Sequence, residues 1–454
     1  MSLAIPRRFA DGVLPFATSA LLFLALVLGG GSLQGRWSDA LIQLASLPLL
    51  ALVFFNPQLM RMPRGPIVLA CLLIALPMVQ LIPLPPALWT ALPGREGIAQ
   101  GYNAAGVALP WLPISLAPII TWHSLLSLLP VIAVFLATLC LSGRQRRILV
   151  IVILAFAFLS VLLDMLQMMQ GESSSLRFYA TATADRAVGF FANSNHNAAF
   201  LYCAMPLAVA WGTGTRRRPF LAVLIVLLLG AIVVGLALAQ SRTGLILGAV
   251  AGISCLVLFF RDGKRISRRR AFGAIAGGSV VVLLIAFQFG FVSISKRVQD
   301  GDLMADLRWP VASITIKAAL ANLPFGTGFG TFVPVYQTVE PRSLLSDRYV
   351  NRAHDDWLEL LLEGGVLSAF GILIFLAWFC RLSLQAWRPT PKDSDALDAA
   401  IPRAGTVIVL LLMLHSIVDY PLRTTGLMAL FAIGFALLIR PNRQREFAGI
   451  VESR

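Results

Sequence analysis

Asn351-Arg352-Ala353-His354-Asp355-Asp356-Trp357 runs without a break into LELLLEGGVLSAFGILIFLAWFCRL, residues 358–382. The apolar part exceeds the ~20 residues that carry an α-helix across a bilayer, so this stretch reads as a polar cluster set against the start of a membrane span. Five ionisable or strongly polar side chains lie within it. In so hydrophobic a setting such groups are costly unless they pair or meet a ligand, so the cluster is where chemistry is to be sought.

Working outward, similar apolar runs recur along the chain, at 14–34, 38–55, 66–83, 121–142, 148–168, 195–213, 219–240, 242–260, 271–292, 357–382, 404–420 and 424–440. The composition agrees: 58% of the 454 residues are hydrophobic, 13% are charged, and the mean hydropathy is +0.80, which excludes a soluble globular domain. The expected fold is an all-α polytopic membrane protein of about twelve transmembrane helices. Residues 1–292 would hold the first nine, 293–356 a large outer loop with an amphipathic helix, 357–440 the last three, and 441–454 a tail.

A net charge of +15 raises the possibility of nucleic acid. The basic residues fall instead in alternate loops: Arg7-Arg8, Arg61 and Arg64, Arg144 with Arg146-Arg147, Arg216 to Arg218, the run from Arg261 to Arg270, Arg381 to Arg403, and the tail from Arg440. That pattern is the positive-inside rule, and it places both termini in the cytoplasm with no nucleic-acid partner expected. Residues 1–34 have the look of a signal sequence, but Gly29-Gly30-Gly31 offers no small-residue cleavage pattern, and a retained first helix is expected. Cys71, Cys140, Cys203, Cys255 and Cys380 lie in or at the ends of apolar runs without a C-x-x-C spacing, so neither a disulfide framework nor a zinc site is indicated.

Three outer loops are long: 84–120, 169–195 and 293–356. The first is rich in Pro, Gly and Trp and suits an interfacial belt. The third contains an amphipathic stretch, 304–322, with Leu307, Val311, Ile314, Ala318 and Ala321 at helical spacing, followed by Gly326-Thr327-Gly328-Phe329-Gly330. No strand precedes these glycines and no Lys-Ser/Thr follows them, so they read as a tight turn and not a nucleotide loop. Asp300-x-Asp302 has the spacing of a metal-binding acid pair, which two acids in a polar loop reach by chance.

Each candidate site residue has an ordinary reading beside the chemical one. Arg242 sits in a tight hairpin between two spans, as an anchor or as a ligand for an anion. Arg186 precedes an amide-rich segment in which Asn193 and Asn195 serve as helix caps or as hydrogen-bonding groups for a sugar. Arg308 lies on the loop helix, as a surface residue or as a charge facing substrate. His354 can take a hydroxyl proton near neutral pH, since free histidine titrates near ~6.5, with Asp355 or Asp356 orienting it; alternatively those acids simply cap the following helix. His415 and Asp419 are spaced to share a helix face, as a structural pair between helices.

Taken in order, Arg186-x-x-Gly189 with Asn193-x-Asn195, Ser241-Arg242-Thr243-Gly244, Arg308 ahead of Pro324-x-Gly326-x-Gly328-x-Gly330, and Ala353-His354-Asp355-Asp356-Trp357 with Glu363-Gly364-Gly365 resemble the O-antigen ligase and Wzy-type polysaccharide polymerase superfamily of bacterial inner-membrane glycosyltransferases. The chain departs at Asp355, where members commonly carry Asn or Ser. The resemblance implies a GT-C-like architecture and an active site at the periplasmic face of the inner membrane. It also implies inverting, metal-independent transfer of a glycan from an undecaprenyl-diphosphate carrier to a hydroxyl of lipid A-core or of another glycan, in lipopolysaccharide or exopolysaccharide synthesis, without a cofactor. It assigns His354 as general base and Arg242 and Arg308 to the diphosphate, with Arg186, Asn193, Asn195, Arg352 and Asp356 lining the site. The alternative is a transporter or flippase of lipid-linked glycans. Against it, the candidate charges gather at the outer helix ends, and Asp164 is the one clear acid inside an early span.

Overall fold

The computed structural model describes residues 7–32, 37–180, 182, 184–214, 219–262, 308–345, 349–389 and 395–439. The expected span at 271–292, the pair Asp300 and Asp302, the start of the amphipathic stretch before Arg308 and the tail lie outside the described residues.

The described chain is almost wholly helical. The helices are α1 (Arg7–Leu28), α2 (Trp37–Phe54), α3 (Arg64–Gln80), the short α4 (Pro86–Trp89) and α5 (Glu96–Ala104), α6 (Pro118–Cys140), α7 (Gly143–Gln170), α8 (Ser194–Gly214), α9 (Pro219–Ala239), α10 (Arg242–Asp262), α11 (Arg308–Ala321), α12 (Phe332–Val339), α13 (Asp356–Ala386), α14 (Ala396–His415) and α15 (Thr425–Leu438). The two strands, β1 (Pro83–Leu84) and β2 (Leu112–Pro113), pair antiparallel and pinch the ends of the first long loop together.

Eleven of the twelve expected apolar segments correspond to helices: α1 to α3, α6 to α10, and α13 to α15. Seven of the helices, α2, α6, α7, α9, α10, α13 and α14, are long and apolar enough to cross a membrane. The apolar parts of α1, α3 and α15 are shorter, and α8 opens with Ser194-Asn195-His196-Asn197, which lowers its hydropathy.

Burial sorts these helices. α14 has 83% of its apolar window buried and α9 only 17%, so α14 lies inside the bundle and α9 on its rim. α8 is the second inner helix: Ala198 through Ala210 are buried without exception, against α7, α9, α10 and α14. A helix enclosed in this way need not be apolar enough for lipid, and its polar start is tolerated because protein groups satisfy it. Asp164 of α7 accepts two bonds from Nδ2 of Asn197 in α8, at 2.8 and 3.0 Å. That early-span acid therefore ties two helices together.

Capping explains several boundaries. Ser142 and Gln145 form a reciprocal capping box at the start of α7, and the Asp395 carboxylate accepts from Leu397 N at α14. At that same end of the bundle, Arg146 donates to the carbonyls of Leu141 and Ile439, and Arg403 to those of Ala386 and Arg388. These guanidinium groups face the negative ends of helix dipoles.

Three expectations change. In the first long loop Trp89 is fully buried within the protein and donates to the Pro110 carbonyl at 2.8 Å, while Trp111 stays exposed. The span expected at 404–420 starts at Ala396 and ends at His415, because a turn at 416–419 leads into the 3-10 turn Pro421–Arg423. The amphipathic helix α11 packs on α13 through Val311, Thr315, Ala318 and Ala319, a face rotated from the expected one, with Ala321 exposed.

Candidate functional site

The glycines after α11 dock into a broken helix. At Gly365 the backbone of α13 leaves helical geometry (φ 57°, ψ −142°), which frees carbonyls that an intact helix would occupy. The turn at 324–328 takes them: Thr327 N donates to Leu362 O at 3.0 Å and Gly328 N to Glu363 O at 2.9 Å, while Val366 N reaches back to Pro324 O at 2.9 Å. Gln80 of α3 joins by donating to Glu363 O and accepting from Phe329 N. The approach requires glycine on both sides, since a Cβ on Gly326 would lie 2.6 Å from Glu363 O and one on Gly365 2.2 Å from Pro324 O. The tight-turn reading is therefore right, and the turn locks the first half of α13 in place.

That half begins with the polar cluster. Asp355 is the N-cap of α13, accepting from Trp357 N at 2.9 Å and Leu358 N at 3.0 Å. Burial, reinforced by Glu359, pushes the Asp355 carboxyl up against the pull of those two amides. With Asp355 committed to the cap, His354 falls in a left-handed turn (φ 55°) that aims its ring at the segment after α14. There Nδ1 of His354 lies 3.4 Å from Oδ1 of Asp419, an ion-pair contact longer than a directed hydrogen bond. Asp419 is fully buried, whereas the His354 side chain keeps 29% of its surface exposed. Among the described residues no hydrogen bond engages the second ring nitrogen, Nε2.

Asp419 is a hub. Its Oδ2 accepts from Nδ2 of Asn195 at 2.5 Å and faces Nε2 of His415 at 3.7 Å, and its Oδ1 accepts from Tyr420 N at 2.9 Å. Burial alone would raise this carboxyl, but His354, His415 and the charge of His196 outweigh it and hold Asp419 well below the usual carboxylate range. Tyr420 stands between two imidazoles, with His354 at 4.9 Å and His196 at 5.0 Å between ring centres, both edge-on. Three of the four histidines in the chain therefore converge on Asp419 and Tyr420.

The amides reach this hub from the α8 side. Gln167 of α7 brackets the strap before α8, accepting from Val188 N and Gly189 N and donating to Gly189 O. Asn193 then caps α8 by accepting from Asn195 N at 2.9 Å. Asn195 turns inward, donating to Asp419 and accepting from the Ser241 hydroxyl at 2.7 Å. Ser241 in turn accepts from Gly244 N at the start of α10, so the first residue of that helix, Arg242, is held beside the same chain of bonds. The side chain of Arg242 is half-buried.

A second cluster lies four residues beyond the hub. Arg423 Nε stands 3.2 Å from Glu359 and 3.5 Å from Asp356, and its Nη1 donates to Glu363 at 2.9 Å. These three acids occupy one face of α13, at positions i, i+3 and i+7. Arg352 approaches Glu359 at 3.5 Å and donates to the Ser32 carbonyl at 2.7 Å. Asp356 also accepts from Ser416 Oγ and Leu422 N. The carboxylates around Arg423 hold its guanidinium more firmly protonated than usual, despite its burial.

Of the residues expected from sequence, His354, Asn193, Asn195, Arg352 and Asp356 are joined through these two clusters, with Arg242 at their edge. Arg186 stands apart and pairs with its neighbour Asp185 at 3.4 Å. Arg308 opens α11, half-buried, without a hydrogen bond or ion pair to His354 among the described residues. Sequence reasoning missed Asp419 as the partner of His354, together with His196, Tyr420, Glu359, Glu363 and Arg423. The available signal was the spacing of His415, Asp419 and Arg423, each four residues apart beside an apolar helix. No group of His, Cys, Asp and Glu among the described residues has the arrangement of a metal site.

Residues 225–376 match the family described as O-antigen ligase, Wzy_C. The match runs from α9 to beyond the break in α13; it contains Arg242, Arg308, Arg352, His354 and Asp356, while Arg186, Asn193, Asn195 and Asp419 lie outside it. A comparison with curated proteins gives no match.

Proposed function

We propose, from a multi-pass membrane protein whose residues 225–376 match the O-antigen ligase family, that the chain moves a glycan from an undecaprenyl-diphosphate carrier to an acceptor hydroxyl. The observation that carries the reading is the half-exposed His354 ring, backed at Nδ1 by the buried Asp419 carboxylate and free to act at Nε2.

In this mechanism Nε2 of His354 takes the proton of the acceptor hydroxyl as its oxygen attacks the anomeric carbon. The bond from that carbon to the diphosphate oxygen breaks in the same step, and the configuration inverts. The diphosphate leaves with the electron pair, and its charge is met by guanidinium groups, whose planar fork matches phosphate oxygens. Arg242 and Arg308 take that role, with Arg186 on the approach to the site. Asn193 and Asn195 offer amides to the sugar. Asp419 keeps the ring oriented and stabilises the imidazolium formed, as a carboxylate behind a catalytic histidine does in other transferases of protons. Arg352 and Asp356 act one layer below, fixing the turn that carries His354. No step calls for a metal or a nucleotide sugar.

The arginines on helix ends away from His354 fit a cytoplasmic face, which supports a reading with His354 on the periplasmic side of the inner membrane. The test is incubation of purified protein with lipid-linked oligosaccharide. A ladder of lengthened lipid-linked products identifies a polymerase, reaction only on adding lipid A-core identifies a ligase, and no transfer under either condition overturns the reading.

A further inference from the structure

We propose that Tyr202 and His415 are positioning residues for the base, forming a relay in which the Tyr202 hydroxyl sets the tautomer of His415 and so aims an N–H at Asp419. The relay rests on the function proposed above only in what it serves; its geometry stands by itself.

The path begins deep in the bundle. Tyr202 lies in the fully buried middle of α8, and its hydroxyl is 2.6 Å from Nδ1 of His415, the last residue of α14. The other ring nitrogen of His415 faces Oδ2 of Asp419 at 3.7 Å, and Oδ1 of Asp419 faces His354 at 3.4 Å. Four side chains from three parts of the chain thus line up, from the buried Tyr202 to the half-exposed His354.

A neutral imidazole carries one N–H, and the hydrogen bond at one nitrogen decides which. In its neutral form two arrangements are open to His415. With the proton on Nδ1, the ring would donate to Tyr202 and point a lone pair at the Asp419 carboxylate, two negative features face to face in a buried site. With the proton on Nε2, Tyr202 donates to Nδ1 and the N–H points at Asp419. Both contacts are then favourable, so the second arrangement is selected. The Tyr202 hydroxyl makes it possible, because it supplies the donor that Nδ1 then needs; an apolar residue there would leave a buried acceptor unsatisfied.

The consequence falls on His354. Asp419 is shared between His415 and Asn195 on Oδ2, which leaves Oδ1 to the Tyr420 amide and His354. A firmly held Oδ2 keeps Oδ1 at the ring that gains positive charge during transfer. The groups facing Asp419 and His354 from the packed elements are Asn195 and His196 on α8, His415 on α14, and Tyr420 and Asn351 in the adjoining turns.

The experiment is a double-mutant cycle with an independent spectroscopic arm. Tyr202→Phe keeps the ring and removes only the hydroxyl; it should lower kcat for glycan transfer by about 10- to 100-fold, the usual range for a group acting through an active-site ligand, with KM for the lipid-linked donor near wild type. His415→Gln places an amide donor towards Asp419 whatever Tyr202 does, so it should retain most of kcat, whereas His415→Leu should lose it. In the His415→Gln background, Tyr202→Phe should have little further effect. Additive losses in the double variant, or wild-type kcat in Tyr202→Phe, overturn the relay. Nitrogen NMR of 15N-histidine-labelled, detergent-purified protein reads the tautomer directly: the His415 signal should be that of the Nε2–H form in the wild type and change in Tyr202→Phe. An Nδ1–H signal in the wild type overturns the relay even in a protein that transfers no glycan. Absence of transfer with the correct tautomer overturns the function proposed above and leaves the relay standing.

Discussion

Asp419 and Arg423 lie four residues apart in one turn after α14, yet they organise opposite kinds of cluster. Asp419 is a single carboxylate surrounded by two imidazoles and an amide, and one of those imidazoles, His354, opens to the surface. Arg423 is a guanidinium among three buried carboxylates, itself only 12% exposed. The difference teaches what separates a reacting site from a structural one built of similar residues. The Arg423 cluster pairs its cation with acids from several turns of one helix, so it holds α13 against the turn that follows α14. The Asp419 cluster ends on a nitrogen with capacity left.

The largest expected effect tests the reacting side. His354→Ala should lower glycan transfer by about 10²- to 10⁴-fold, the usual range for a general base, at near wild-type abundance in the membrane. Full transfer by this variant would break the comparison at its main point. Arg423→Ala should act in the opposite way, removing folded protein. Stripping the cation from buried carboxylates costs about 3–5 kcal/mol, read as a lowered thermal midpoint in detergent and a loss of membrane abundance. A variant of wild-type stability and no transfer would move Arg423 to the reacting side.

Next comes the lock between them. Gly365→Ala places a Cβ 2.2 Å from Pro324 O at a positive φ, and strain on the order of 1–3 kcal/mol should appear as a lower unfolding midpoint. The smallest effect is expected of Asp355→Ala, which removes the α13 cap and should cost about 1 kcal/mol, with Asp355→Asn restoring most of it. An unchanged midpoint with transfer abolished would show that Asp355 belongs with His354 and not with the cap. This matters because Asp355 is the residue that joins the cap to the turn carrying His354.

Much of the helical layout was legible from residue order because an apolar run of membrane length has few other fates. The exceptions have physical causes. The burial of Trp89 was not legible because a Pro-rich loop can fold on itself, and no local pattern says that Pro110 will accept its N–H. The end of α14 was placed at 420 because residues 416–418 continue the apolar pattern; the chain turns there when Ser416 and Asp356 bond across helices. His354 stood out by polarity alone. Its partner did not, since Asp419 is 65 positions away and its spacing to His415 suggested a pair closed on itself.

By itself the sequence determined the class of molecule, the main apolar helices, the glycine turn, and the histidine at the mouth of a span, since each follows from local composition or the length needed to cross a bilayer. Only the tertiary structure decided which charges meet. A buried carboxylate takes whichever donors the packed helices bring within a few ångströms, and here α8, α13 and the turn after α14 bring Asn195, His354 and His415 to Asp419 while three acids of α13 close on Arg423. Helix packing, not spacing along the chain, separates the residue that reacts from those that hold it.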